Sequence, residues 1–206
     1  MYQKILTDPS FFSLLFKYDQ DLAEQARKPG CPCRGVLHRA DYPRKPRGGP
    51  EDLDAEFNKR ISFCCAEEGC RKRMTPPSLR FLGRRVYLMV VVVLVSAMCQ
   101  GITAKRMKLL SEQIGACRRT LDRWQGWWRE AFSESPFWKK SRGRFSPPIL
   151  TDRLPGSLLE RFNGADTSMG ILKVLAFLSP LSTATCPGKN QDSLREFSIR
   201  RGCVLQ

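Results

Sequence analysis

With 206 residues, 42% hydrophobic and 10% aromatic, the chain has enough apolar material to build a core, which excludes a protein left unfolded for want of one. Lys and Arg outnumber Asp and Glu 35 to 20, giving a formal charge of +15. Such a balance points to a polyanionic partner, nucleic acid first and an anionic membrane second.

In chain order, the opening stretch MYQKILTDPSFFSLLFKYDQDLAEQ lacks the basic start, apolar run and small-residue cleavage site of a signal peptide. A reducing, cytoplasmic setting is therefore expected, and there the nine cysteines read as metal ligands rather than as a disulfide framework. Phe11, Leu14, Leu15, Tyr18, Leu22 and Ala26 recur at spacings of three and four and predict an N-terminal helix over 1–30, ended by Lys28-Pro29-Gly30.

Residues 31–85 lack helical periodicity and are rich in Pro, Gly, Cys and Arg. Cys31 and Cys33 form a C-x-C pair, and Cys64, Cys65 and Cys70 follow in ISFCCAEEGCRKR. Two close cysteine groups a few tens of residues apart have the layout of a zinc ribbon, in which four thiolates close a tetrahedron around a structural Zn²⁺. The expected ligands are Cys31, Cys33, Cys65 and Cys70. Adjacent residues on a strand point to opposite sides, so only one of Cys64 and Cys65 can serve, and Cys65 gives the shorter loop to Cys70. The pairs depart from C-x-x-C, one residue tight in the first and two wide in the second, which keeps Cys64 and His38 open as substitutes. Free thiols placed by chance are the plain alternative, against which stand the clustering and a glycine near each turn, Gly35 and Gly69. Cys99 reads as core, while Cys117, Cys186 and Cys203 show no pairing. A catalytic Cys–His pair lacks support, since His38 is the one histidine and has no carboxylate in a supporting pattern, and no enzymatic activity is expected.

The charge is concentrated in two blocks. Residues 27–85 carry 15 basic and 7 acidic side chains (+8), and residues 105–144 carry 11 and 4 (+7). In the first block, RADYPRKPRGG contributes Arg44, Lys45 and Arg47, and RKRMTPPSLRFLGRR contributes Arg71, Lys72 and Arg73. Arg and Lys interleaved with Tyr or Phe on proline-stiffened loops suit contacts to a nucleic-acid backbone. Closing the metal site would pin both loops on one module.

The run VYLMVVVVLVSAMC at 86–99 is the most apolar stretch, and 19 uncharged residues separate Arg85 from Lys105. Its strongly apolar part is 14 residues, short of the ~20 that a spanning helix needs, so a buried core helix is expected and a membrane-attached scaffold is the competing reading. In MKLLSEQIGACRRTLDRWQGWW at 107–128, Leu110, Ile114, Leu121 and Trp124 stand where two crossing helices bury their contact, with Ser111 at the close approach and Gly115 in the turn. This predicts a helix-turn-helix domain over 86–133, whose second helix presents Cys117, Arg118, Arg119, Asp122 and Arg123. Three arginines there suit guanine edges or phosphates, although an amphipathic helix pair with a solvated basic face shares the pattern. Trp127, Trp128 and Phe132 are expected against the 86–99 segment. Residues 134–160 read as an extended basic connector with aromatic anchors, 158–181 as one or two short helices, and 183–206 as a poorly ordered tail.

GCPCRGVLHRADYPRKPRG, then FCCAEEGCRKRMTPPSLRFLGRRVYL, then RRTLDRWQGWW with FW and RF-PP further on, resembles an uncharacterised bacterial family that accompanies insertion elements and is similar to the zinc-ribbon plus helix-turn-helix portion of transposases. The resemblance covers roughly residues 12–182 and rests on motif order. It implies a mostly α protein with a small β zinc-ribbon module, acting in DNA recognition or as an accessory in a mobile element, with a transposase as a further partner and a nucleoid-associated location. Transposase chemistry uses three separated carboxylates around two divalent metals, and the acidic residues here show no such triad. RNA is the competing nucleic-acid partner. The terminal CVLQ with Arg200 and Arg201 upstream fits a prenylation box, a coincidence if the source is bacterial.

Overall fold

The computed structural model describes residues 2–183 except 52 and 165, so Cys186, Cys203, CVLQ and all of the expected tail but Thr183 lie outside the described residues. Helix α1 (Tyr2–Leu6) leads into α2 (Pro9–Arg27), where Asp8 caps the first turn by accepting from the Ser10 backbone N–H at 2.9 Å and Pro9 occupies the opening position. The inward face of α2 carries Phe11, Phe12, Leu15, Asp19, Ala23 and Ala26. Leu14 and Tyr18, expected on that stripe, are exposed, because Phe12 and Asp19 take the inner positions.

Five short strands follow: β1 (Leu37–Arg39), β2 (Tyr42–Pro43), β3 (Lys59–Arg60), β4 (Phe63–Cys65) and β5 (Arg73–Met74). They form an antiparallel three-stranded sheet in the order β1-β4-β5 and a two-stranded ribbon of β2 and β3. The register sets Leu37 opposite Cys65 and His38 opposite Cys64. Because side chains alternate across a strand, Leu37 and Cys65 share the buried face, where Ala23, Cys31, Ile61 and Phe63 complete a small core, and His38 is exposed.

Helix α3 (Met89–Met98) is the centre of the rest of the molecule, and Met89 through Leu94 have no solvent exposure. Its valines carry a modest helix-propensity cost of a few tenths of a kcal/mol each, whereas full burial of each returns about 1.5–3 kcal/mol. Burial therefore decides the conformation. Helices α1, α5 (Arg118–Trp127), α7 (Gly156–Phe162) and α8 (Thr167–Leu178) all contact α3, the surround expected for a helix that is apolar on every side. Among the described residues no helix is long and apolar enough to cross a membrane.

Helix α4 (Ala104–Gln113) meets α5 through Leu110, Ile114, Leu121 and Trp124, with Gly115 at φ +58° in the connection. The Tyr87 hydroxyl donates to the Gly115 carbonyl at 3.1 Å, and the Tyr87 ring meets Trp124 edge-on at 4.9 Å. A π-helical turn, Trp128–Phe132, extends α5 and buries both of its end residues in the main core. Where an extended connector is expected, the chain instead forms α6 (Pro136–Ser141), a 3-10 turn Thr151–Arg153 and α7. Trp138 is fully buried there, and Phe137 and Phe145 pack on Phe177 of α8 at 5.2 and 5.5 Å. Aromatic burial outweighs the helix-breaking prolines in this segment.

Arg60 and Arg80, which the sequence counts within a basic block, are buried. Arg80 Nε donates to Asp19 at 2.7 Å, its other nitrogens reach the Phe57 and Lys59 carbonyls, and its guanidinium lies over Phe16 at 4.5 Å. Asp19 also accepts from Ser78 Oγ at 2.5 Å and from the Leu79 backbone N–H at 2.6 Å, so all its bonds tie α2 to the 78–80 segment. Arg60 donates to the Pro76 carbonyl and to Ser182 Oγ at 3.3 Å, and burial lowers its pKa to about 10.

Candidate metal centre and basic surfaces

The cysteine site is assembled by two tight turns that the sheet brings face to face. In the first, Arg34 adopts φ +66° and its N–H donates to the Cys31 carbonyl at 2.8 Å, turning the chain so that Cys31 and Cys33 point the same way. Gly35 follows because nothing larger fits: a Cβ there would lie 2.5 Å from Glu67 Cγ and 2.7 Å from Cys65 Sγ. In the second turn the N–H groups of Cys70 and Arg71 both donate to the Glu67 carbonyl, at 3.0 and 2.9 Å. The β4 end is held from both sides, by Cys65 N–H to the Lys72 carbonyl at 3.0 Å and Ala66 N–H to the Val36 carbonyl at 2.9 Å.

Cys31 and Cys70 then bring their sulfurs to 3.6 Å and Cys33 and Cys65 to 3.4 Å, and the four sulfurs lie within 4.8 Å of one another. Four thiolates about 2.3 Å from a tetrahedral centre would stand about 3.8 Å apart, so the cluster has the size of a metal cage. The separations are far beyond the ~2.05 Å of a disulfide. The two backbone-anchored turns give the sulfurs unlike environments. The Gly35 N–H, and after it the neighbouring thiols, lower the Cys33 pKa to about 7, whereas burial raises that of Cys65 to about 12. One ready thiolate beside a reluctant thiol is a site where an incoming cation displaces protons.

The two substitutes are outside this cluster. Cys64 turns to the other side of β4 and bonds the Arg71 carbonyl at 3.5 Å, and His38 stands opposite it on β1. The sheet therefore separates Cys64 from Cys65 as strand alternation demands. The four residues brought together could hold a metal ion.

The basic residues fall into three situations. Arg44 is tied inward, donating to the Gly83 and Arg85 carbonyls at 3.0 Å each, and Arg73 donates to the Ala40 carbonyl and Ser62 Oγ at 3.1 and 3.0 Å. Lys45, Arg47, Arg71, Lys72 and Arg73 are exposed. The loop bearing Arg47 is nonetheless fixed, since Arg47 pairs by its backbone with Val86 and Leu88, and a Cβ on Gly48 would meet Val91 at 3.0 Å. On α5, Cys117, Arg118, Arg119, Asp122 and Arg123 are all exposed, as the helical pattern predicts. Arg118 and Asp122 approach to 3.9 Å, an exposed pair of small energetic weight.

Two lysines that the sequence reading passes over join them. Lys105, Lys108 and Ser111 of α4 and Arg118 of α5 line a cleft of about 520 Å³, lined by three cations and no carboxylate. Their i, i+3 spacing at the start of α4 is the signal in the sequence. A larger cleft of about 650 Å³, between α3, α5 and the Thr151–Arg153 turn, is lined by Arg129, Arg153, Asp152 and Glu160 and has no dominant sign.

Comparison with protein-family models, curated proteins and solved structures returns no match for this chain.

Proposed function

We propose that the chain is a DNA-binding protein whose four-cysteine site carries a structural Zn²⁺ and which performs no catalysis itself. The observation that carries this reading is the exposed row of Arg118, Arg119 and Arg123 on α5, beside the cleft lined by Lys105, Lys108 and Arg118. A helix presenting three solvent-exposed arginines, backed by lysines on the preceding helix, suits insertion into a major groove flanked by phosphates. Zinc is the ion preferred for an all-thiolate tetrahedral cage, and a module with so small a core would draw its folding free energy from it. The resemblance of the motif order to transposase recognition regions is the ground for reading a role in a mobile element, as a DNA-recognition or accessory protein working with a transposase.

The test is binding to duplex DNA across a range of salt concentrations, with metal content measured on the same reduced protein. Affinity should fall steeply with salt, the Arg118→Ala, Arg119→Ala double variant should lower the salt slope by about 2, and the protein should carry about one Zn per chain. Affinity that ignores salt, or is indifferent to both substitutions, would sink the DNA reading. Stronger retention by structured RNA in competition would reassign the partner.

A further inference from the structure

Arg85 and Arg123 converge where the cysteine module meets the helix pair. The Arg85 guanidinium lies over the Trp127 ring at 4.6 Å, and Trp127 stands one turn after Arg123 on α5, so the two arginines border one face. The backbone of Arg85 is clamped from the module side, its carbonyl and that of Gly83 both accepting from Arg44. Two residues on, Tyr87 is fixed to Gly115 and Trp124. Tertiary structure, not chance rotation, thus brings a guanidinium from residue 85 to the edge of α5.

Neither arginine forms an ion pair among the described residues. Arg123 donates to Thr120 Oγ1 at 3.2 Å, and the neighbouring Asp122 lies toward Arg118. Burial, and next the charge of Arg123, holds Arg85 below the ordinary arginine pKa. Two like charges bordering one face, one of them stacked on an indole and partly withdrawn from water, form an arrangement that an anion relieves.

We propose that Arg85 and Arg123 jointly bind one backbone phosphate of the DNA duplex, with Trp127 holding the Arg85 plane in position. Planar guanidinium donors match the two free oxygens of a phosphodiester. The inference rests on the DNA-binding reading and adds to it a contact from outside the helix pair, which fixes how the duplex lies relative to the cysteine module.

The experiment compares the full-length protein with Arg85→Gln and Arg85→Lys for binding to duplexes of several sequences, at salt concentrations from about 50 to 300 mM. Arg85→Gln should lower the slope of log affinity against log salt by about 1 on every duplex, and Arg85→Lys should keep the slope. An unchanged slope in Arg85→Gln, with binding still weakened by Arg119→Ala, overturns the phosphate site and leaves the α5 reading standing. A wild-type protein that binds no duplex overturns both. If Arg85→Gln loses metal or its folded near-UV signal, the exposed Arg123→Gln carries the same test, with the same loss of about 1 expected and an unchanged slope fatal. Loss of binding to phosphatidylglycerol vesicles in Arg85→Gln, with its DNA slope intact, would assign the pair to a lipid headgroup and overturn the proposal.

Discussion

The region from Cys31 to Met74 and the region around α3 solve the same problem by opposite means. Around α3, Met89 to Leu94 are wholly enclosed, and apolar side chains from four helices supply the stability. The cysteine region has a core of five buried residues completed by Ala23 of α2, strands of two or three residues, and a cluster of four cysteine sulfurs. Its order comes from directional bonds: turns closed on the Cys31 and Glu67 carbonyls, and guanidiniums reaching backbone oxygens. One region tolerates changes of shape and resists changes of chemistry less well than it looks, since a charge inside α3 would find no partner. The other depends on a few named atoms and should fail all at once.

Metal removal is the sharpest way to break the comparison. Chelation of the proposed zinc, or Cys65→Ser, should unfold the three-stranded sheet and its two cysteine turns and leave α3 protected, because a structural zinc supplies on the order of 10 kcal/mol of folding free energy to such modules. Residue-resolved hydrogen exchange checks it, and equal loss of protection in both regions would show that the division is not real. Next in size, Asp19→Ala should cost about 3–5 kcal/mol in denaturant unfolding, since it strands the buried Arg80 charge. Because the Arg80 that Asp19 holds also donates to the Phe57 and Lys59 carbonyls, that loss should reach the cysteine region as well. Leu94→Ala should cost about 2–5 kcal/mol by cavity formation and lower Tm while metal content stays near one per chain. Between pH 8 and 6, falling pH should act chiefly on the four-cysteine site. A cation must displace the proton of Cys65 throughout the ordinary range, and that of Cys33 increasingly below about pH 7, so metal affinity should fall with falling pH and more steeply below 7. Calorimetry in buffers of different ionisation enthalpy counts the released protons, and a count independent of pH between 8 and 6 would contradict the difference between the two thiols. The smallest effects belong to Cys64→Ser and His38→Ala, which should leave metal content unchanged.

The cage was legible because its signal is local. Strand alternation separates Cys64 from Cys65, and the shorter loop selects Cys65, which is the arrangement observed. The 86–99 run was legible as buried because it is too short to span and too apolar to expose. What escaped was decided by partners far away in sequence. Arg60 and Arg80 count as two more surface charges until Asp19, Pro76 and Ser182 are placed around them. Residues 134–160 resemble a connector while Pro147 and Pro148 are read as breaks, and prove anchored to the core once Trp138 is buried and Phe177 meets Phe137 and Phe145. The helix pair of α4 and α5 shows its contact residues in its spacing, whereas Arg85, which the tertiary structure swings onto Trp127, has no local pattern to announce it.

Ser182 sets a timetable. Its hydroxyl accepts from Arg60, 122 residues earlier, and from the Ser78 N–H, 104 residues earlier. At about 5–20 residues per second, synthesis of the cysteine region is complete some 5–20 s before that hydroxyl exists. The nascent chain could therefore bring its four cysteines together long before the shell behind Arg60 is closed. A fragment cut after residue 85 would be frozen at that stage, with Arg60 and Ser78 each lacking a bond, so the four-cysteine half is better studied within the whole chain than excised from it.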